Sequence, residues 1–278
     1  MSLEPGHHRI AAFAVYAAGN DEILMTPAPW TPMYASHDKL VIFDADGTLI
    51  DAFDAIAQTF RLRGMDIGDL ARFQKRRNLF KYFGGLKEFP KNLVRQSTPQ
   101  QRKELINTLT EVYRDSAQLY PGVAALLQQA LDTPGLRVGM VTRNITHQPE
   151  YTLQHLFARH GVALEQLDFL ACIPLKMEKT WHFRRAREDL GINPSRVWVC
   201  GDEHKDYQAA LAAGLNPVIV SYGFEDYQRL HRKYAIPDEQ IVRSPAQLCA
   251  RMSHTLELPS MVRLELEIDS LGLLNSAV

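Results

Sequence analysis

The sequence has few cysteines, no long apolar run near its N-terminus and almost no net charge. Its three cysteines contain no CxxC pair and no spacing typical of a disulfide framework, which favours a reducing compartment. The longest apolar stretch near the N-terminus, residues 10–18, is far shorter than the ~20 residues that a membrane-spanning helix needs. We therefore expect a cytoplasmic protein with no membrane partner.

The charge balance argues against a nucleic-acid partner. Lysine and arginine total 31, aspartate and glutamate total 32, and the net charge is -1, so the chain has no global basic field. Hydrophobic residues make up 46% of the sequence and charged residues 23%, as in ordinary globular proteins. This composition excludes fibrous and low-complexity classes, and 278 residues predict about two domains.

Two separate stretches, 39–50 and 136–250, have the pattern of one α/β domain. Residues 40–43 are an apolar run typical of a buried strand, and the turn composition Asp-Ala-Asp-Gly follows it. Repeated strand and helix patterns after residue 136 predict a parallel sheet with helices on both faces. The predicted strands are 136–141, 167–173, 196–200 and 217–222; the predicted helices are 150–160, 178–190 and 204–213, with a last one that begins at a capping box at Ser244.

A helical stretch, residues 51–135, interrupts this α/β pattern after the first strand. Its helical periodicity includes a capping box at Thr98. A whole strand-helix-strand connection needs only ~10 to 12 residues, so this stretch is far too long for a simple crossover. We therefore expect an inserted helical domain, with residues 1–38 and 251–278 as terminal extensions.

Several polar residues follow the predicted strands at their carboxyl ends. Ligands bind at this edge of an open parallel sheet, so side chains that meet there are candidates for a functional site. These candidates are Asp44, Asp46, Thr142, Lys179, Asp202 and Asp206.

The chemistry of these candidates predicts phosphoryl transfer with a metal ion. Converging carboxylates raise one another's pKa unless a cation lies between them, and oxygen ligands suit Mg²⁺. Lys179 and Thr142 add donors that suit the oxygens of a phosphoryl group.

The spacing of Asp44 and Asp46 indicates a two-carboxylate mechanism. Because the chain turns at Gly47, the two side chains can lie on either side of one small substrate. One carboxylate can attack phosphorus in line while the other protonates the leaving oxygen.

The segment from Leu40 to Leu49, LVIFDADGTL, resembles the signature of the haloacid dehalogenase-like hydrolase superfamily, and its phosphatase branch in particular. The family's other motifs follow in the expected order: Thr142, then a lysine, then the segment 199–206. Residues 209–220 are similar to the phosphoglycolate-phosphatase-like group. The resemblance implies a Rossmann-like core with a helical cap inserted after the first motif.

The resemblance also implies roles for the acidic residues. Asp44 becomes the nucleophile that forms an aspartyl-phosphate, and Asp46 the general acid and base. Asp44, the backbone carbonyl of Asp46 and Asp202 would bind Mg²⁺, with Asp206 in support.

The phosphoryl oxygens would be bound by Thr142, by Lys179 and by backbone amides near Arg143 and Asn144. The family's lysine is often followed by proline, and neither candidate here is. We prefer Lys179 because it opens a helix and begins a Lys-x-x-His-Phe pattern seen in some magnesium-dependent phosphatases of the superfamily, and Lys176 is the alternative.

The predicted function is a Mg²⁺-dependent phosphatase acting on a small phosphorylated metabolite, as a monomer or homodimer. A phosphomutase acting on a sugar phosphate and a catalytically inert binding relative are the alternatives. Asp46 argues against a dehalogenase, which keeps no acidic residue there. The long insertion argues against a phosphorylation-switched signalling domain.

Overall fold

The centre of the molecule is a parallel β-sheet. The computed structural model describes residues 34, 36–64 and 99–259. The strands in this part of the chain are β1 (Lys39–Phe43), β2 (Leu136–Thr142), β3 (Phe169–Cys172), β4 (Val197–Gly201), β5 (Asn216–Val220) and β6 (Ile241–Val242). They form one sheet in the order β3-β2-β1-β4-β5-β6, and every neighbouring pair is parallel. Strand β1 therefore lies between β2 on one side and β4 on the other.

Helices alternate with these strands along most of the chain. They are α1 (Ala52–Leu62), α2 (Pro99–Asp115), α3 (Val123–Asp132), α4 (Pro149–Arg159), α5 (Thr180–Asp189), α6 (His204–Ala212) and α7 (Pro245–Leu256), with a π-helical turn at Gln228–Lys233. No helix in the ranges given above is both long enough and apolar enough to span a bilayer.

Strand β1 is buried on both of its faces. Alternate residues of a strand point to opposite faces, so Val41 and Phe43 pack into one hydrophobic cluster while Leu40 and Ile42 pack into another. All four side chains are essentially inaccessible to solvent. This explains why the strand is a continuous apolar run, which is the pattern of a parallel strand with helices on both sides.

The two clusters are completed by different helices. Leu109 of α2, Leu127 of α3 and Phe157 of α4 pack with the first cluster. Phe183 of α5 and Ala210 of α6 pack with the second. The expected fold class, a parallel α/β sheet covered by helices on both faces, is confirmed.

The last helix begins where the sequence predicts. Ser244 is the N-cap of α7, and its hydroxyl accepts a hydrogen bond from the backbone N–H of Gln247 at 3.2 Å. The Gln247 side chain accepts from the backbone N–H of Arg243 rather than that of Ser244, at 2.7 Å. The helix continues to Leu256, and Met252 and Leu256 pack into the core. Thr98, the predicted cap of α2, lies outside the described residues.

The predicted inserted domain contributes α1, α2 and α3 to the described part of the chain. Helix α1 packs against α2, and α3 packs against β2 of the sheet. Residues 65–98 of the insertion, and residues 1–33 and 260–278 of the extensions, lie outside the described residues. The domain boundaries therefore stay predictions. Strand β6 and the π-helical turn had no counterpart in the sequence prediction, because a two-residue strand is too short to show a period.

We expect the Leu153→Ala substitution in α4 to lower the free energy of unfolding by about 2–5 kcal/mol, because it empties a fully buried site. Leu211→Ala in α6 is the matched control, since that side chain is 49% exposed and its removal should change stability by no more than about 0.5 kcal/mol. Urea denaturation followed by circular dichroism measures both. Equal losses in the two variants would contradict the proposed core.

Candidate active site

Three carboxylates converge at the carboxyl ends of β1 and β4. Asp44 directly follows β1, and its backbone N–H donates to the carbonyl of Cys200 in β4 at 2.8 Å. Asp202 directly follows β4, and Asp206 lies in the first turn of α6. One carboxylate oxygen from each of Asp44, Asp202 and Asp206 lies within 4.8 Å of the others. The pairing of β1 with β4 thus brings together residues about 160 positions apart in sequence.

A buried lysine lies against two of these carboxylates. The Nζ atom of Lys179 is 2.7 Å from Oδ2 of Asp44 and 2.8 Å from Oδ1 of Asp206. Burial disfavours the ammonium form, but Asp206 and Asp44 outweigh it and raise the pKa of Lys179 above its ordinary value. The lysine therefore carries a positive charge. Lys176 is exposed, and the structure places Lys179 rather than Lys176 in this group.

The pKa values of the three carboxylates are shifted in different directions. Burial raises the pKa of Asp202 well above its ordinary value, and repulsion by Asp44 raises it further. Burial also raises the pKa of Asp44, although Lys179 opposes this effect. For Asp206 burial is outweighed by Lys179 and Arg143, and the pKa is lowered. A second cation beside Asp44 and Asp202 would relieve the unfavourable charge that remains.

The carboxylate of Asp202 has one oxygen occupied and one available. Its Oδ2 accepts a hydrogen bond from the backbone N–H of Phe224 at 2.6 Å. Its Oδ1 is buried and has no hydrogen-bond partner among the described residues. Gly47 lies so close that a Cβ atom there would be 2.3 Å from Oδ2, and its φ of +79° is one that side chains rarely adopt. An orphaned carboxylate oxygen within an all-oxygen set fits a hard divalent cation such as Mg²⁺.

Thr142 and Arg143 lie beside this acidic group. Thr142 ends β2 next to the end of β1, because Met140 is the register partner of Phe43. The Thr142 hydroxyl is buried with no hydrogen-bond partner in the described part of the chain, so it is available to a ligand. The Arg143 guanidinium approaches Asp206 at 3.7 Å. The predicted phosphate contacts of the backbone amides near Arg143 and Asn144 remain predictions.

Asp46 lies in a different environment from Asp44. Its carboxyl accepts hydrogen bonds from the Tyr113 hydroxyl at 2.8 Å and from the Asn144 amide at 3.0 and 3.2 Å. Burial, with repulsion by Asp44, raises the pKa of Asp46 to about 7. The Asp46 side chain is not among the clustered metal-ligand candidates, and its predicted metal contact through the backbone carbonyl remains a prediction. Two aspartates two residues apart therefore have separate chemical characters.

The sequence prediction missed Tyr113, which contacts Asp46, and Glu225, which contacts the start of the helix that carries Asp206. Tyr113 lies in α2, 67 residues from Asp46, and nothing in a helical pattern marks it as a partner of that carboxyl. Glu225 is fully buried, and its Oε2 accepts from the backbone N–H of His204 at 2.6 Å. This bond ties the loop after β5 to the start of α6, the helix that carries Asp206.

The chain is similar to known phosphatases over most of its length. The model of the haloacid dehalogenase-like hydrolase family matches residues 39–214. A phosphoglycolate phosphatase of Synechococcus elongatus is 29% identical over 226 residues, which cover 76% of this chain and 95% of the relative. The N-acetylmuramic acid 6-phosphate phosphatase of Pseudomonas aeruginosa is 30% identical over 202 residues, which cover 67% of this chain and 83% of the relative.

Solved structures share the fold. The crystal structure of a predicted phosphatase from Clostridium acetobutylicum matches with a TM-score of 0.53 at 22% identity, and the match covers 79% of this chain and all of the other. The predicted phosphoglycolate-phosphatase-like group and the predicted enzyme class, a phosphatase, are confirmed by the family match and the relatives. The chain belongs to the haloacid dehalogenase-like hydrolase family.

Proposed function

We propose that this phosphatase depends on Mg²⁺ and hydrolyses a small phosphate monoester through an aspartyl-phosphate intermediate. The observation that carries the proposal is that the two aspartates of the first motif lie in different chemical environments. Asp44 lies 2.7 Å from the Lys179 ammonium, within the acidic group, which suits an ionised nucleophile. Asp46 is held by neutral donors and has a pKa of about 7, which suits a group that gives and takes protons near neutral pH.

In the first step, the phosphoryl group of the substrate lies against the Thr142 hydroxyl and the Lys179 ammonium. A carboxylate oxygen of Asp44 attacks phosphorus in line, and the bond between phosphorus and the leaving oxygen breaks. Asp46 donates its proton to that oxygen, so the alcohol leaves as a neutral molecule. The phosphoryl group is then bound to Asp44.

In the second step, Asp46 is a carboxylate and accepts a proton from water. The water oxygen attacks phosphorus, and the bond between phosphorus and Asp44 breaks. The products are inorganic phosphate and ionised Asp44, with the proton again on Asp46. The same residue therefore acts as acid and then as base, and the enzyme returns to its starting state.

The side chains of Asp44, Asp202 and Asp206 and the backbone carbonyl of Asp46 would hold Mg²⁺. When bound, the ion neutralises the phosphoryl oxygens, so that the anionic Asp44 can approach an anionic ester. Lys179 contributes to the same neutralisation from its position between Asp44 and Asp206. The orphaned Oδ1 of Asp202 supports this placement of the ion.

The first test replaces the nucleophile. We expect Asp44→Asn to lower kcat for p-nitrophenyl phosphate by on the order of 10⁴-fold or more, because an amide oxygen cannot form the acyl phosphate. Steady-state release of p-nitrophenol in the presence of Mg²⁺ measures the loss. Asp132→Asn is the matched control, since Asp132 is exposed at the end of α3, and it should retain normal activity. Normal turnover by Asp44→Asn would overturn the assigned nucleophile.

The second test removes the metal. Dialysis against EDTA should abolish phosphatase activity and Mg²⁺ should restore it, because the acidic group then loses and regains the cation that neutralises it. Titration calorimetry of the metal-free enzyme with Mg²⁺ should show binding that Asp202→Asn weakens by at least about tenfold, since one charged ligand is lost. Full activity after exhaustive chelation would contradict the metal dependence, and unchanged affinity in Asp202→Asn would contradict the ligand.

The third test concerns proton transfer by Asp46. We expect Asp46→Asn to lower kcat/KM for a primary alkyl phosphate by about 10²- to 10⁴-fold, the usual contribution of a general acid. The loss for p-nitrophenyl phosphate should be much smaller, because p-nitrophenolate is a stable anion that leaves without protonation. The comparison uses kcat/KM, which reports the steps up to cleavage of the ester bond. Equal losses for the two substrates would show that Asp46 is not the acid.

A further inference from the structure

The Asp46 carboxyl is anchored unequally at its two oxygens. Oδ1 lies 2.8 Å from the Tyr113 hydroxyl and 3.2 Å from Nδ2 of Asn144. Oδ2 lies 3.0 Å from the same Asn144 nitrogen. All three side chains are buried, so these hydrogen bonds do not compete with bulk water.

The direction of each hydrogen bond follows from its neighbours. The Oδ1 atom of Asn144 accepts from the backbone N–H of Thr146 at 3.0 Å, and a backbone N–H can only donate. The Asn144 amide must therefore turn its NH₂ group towards Asp46. A tyrosine hydroxyl carries a proton at neutral pH, and that of Tyr113 donates to Oδ1 of Asp46 at 2.8 Å.

The backbone of Tyr113 is fixed to the α/β part of the molecule. Arg159 of α4 donates to the carbonyl of Tyr113 at 3.3 Å and to that of Ala117 at 2.6 Å. Arg114, the next residue, donates from Nε to the hydroxyl of Thr152 in α4 at 3.1 Å. The last turn of α2 is thus attached to a helix that packs on the sheet. The phenol has a defined position relative to the strand end that carries Asp46.

From this geometry we infer that Tyr113 and Asn144 are positioning residues for the proton transfers of Asp46. Oδ1 accepts from both Tyr113 and Asn144, whereas Oδ2 accepts from Asn144 alone. Oδ2 is therefore the less occupied oxygen, and it carries the proton to the leaving group and accepts it from water. The inference rests on the proposed function, in which Asp46 is the general acid and base. Neither side chain needs to contact the substrate for this role.

Tyr113→Phe tests the inference, because it removes the hydroxyl and keeps the buried ring. We expect kcat/KM for a primary alkyl phosphate to fall about 10- to 100-fold, since a misaligned acid loses part of its contribution. With p-nitrophenyl phosphate the change should stay within about threefold. A purely structural role would lower both values together, and it would therefore overturn the inference.

The double variant Asp46→Asn with Tyr113→Phe separates an effect through Asp46 from an independent one. If Tyr113 acts through Asp46, the double variant should be no slower with the alkyl phosphate than Asp46→Asn by itself. A further tenfold loss in the double variant would refute the inference. Tyr120→Phe is the matched control, because Tyr120 is a partly buried tyrosine packed edge-on against Tyr222, and its substitution should leave the ratio of the two kcat/KM values unchanged.

Two further comparisons complete the test. If Tyr113→Phe does not fold, Asn144→Ala removes the other donor. The ratio of kcat/KM for the alkyl phosphate to kcat/KM for p-nitrophenyl phosphate should then fall as expected for Tyr113→Phe, and an unchanged ratio refutes the inference. Failure of the proposed function has a different signature, because Asp46→Asn itself would then show no dependence on the leaving group. A leaving-group effect in Asp46→Asn without one in Tyr113→Phe overturns the positioning role and leaves the assigned acid intact.

Discussion

The buried ammonium of Lys179 makes the arrangement of this site possible. Asp44 and Asp206 lie within 2.8 Å of its Nζ atom, and both are removed from most contact with water. Buried like charges would otherwise repel one another and drive the carboxyls to become protonated. With the lysine in place, Asp206 keeps a lowered pKa, while burial and repulsion by Asp44 still raise the pKa of Asp202, and one oxygen of Asp202 is orphaned among the described residues. The lysine thus neutralises part of the site, and the remaining imbalance favours a divalent cation.

The topology of the sheet is what allows this ion pairing. Asp44 follows β1, whereas Asp202 and Asp206 come after β4 about 160 residues later. The chain returns to place β4 beside β1, and Lys179 comes from the start of α5 between β3 and β4. Each of these groups follows the carboxyl end of a parallel strand, where the side chains leave the packed sheet. The apolar strands therefore supply both the stability of the core and the alignment of the charged groups.

Much of this arrangement could be predicted from the sequence, because local patterns carry it. The apolar run at Leu40–Phe43 indicates a buried strand, and polar residues after parallel strands are expected to meet at one edge. The partners of Asp46 could not be predicted in this way. Tyr113 lies in a helix whose periodicity predicts that its side chain is buried, which core packing by itself would explain. Its contact with Asp46 depends on how α2 packs on the rest of the molecule. Glu225 likewise lies in a loop after β5, where no period exists to place it.

The two halves of the proposed reaction depend on different parts of the chain. In the proposed mechanism, attack on phosphorus uses Asp44, Lys179 and Thr142, all of which lie at or after the carboxyl ends of strands of the sheet. Proton transfer in that mechanism uses Asp46, whose carboxyl accepts a hydrogen bond from Tyr113 of α2, a helix of the predicted insertion. Arg159 of α4 donates to backbone carbonyls at the end of that helix, so the position of the helix end relative to α4 is fixed. Under the proposed mechanism, the predicted insertion thus supplies one of the two donors that position the acid.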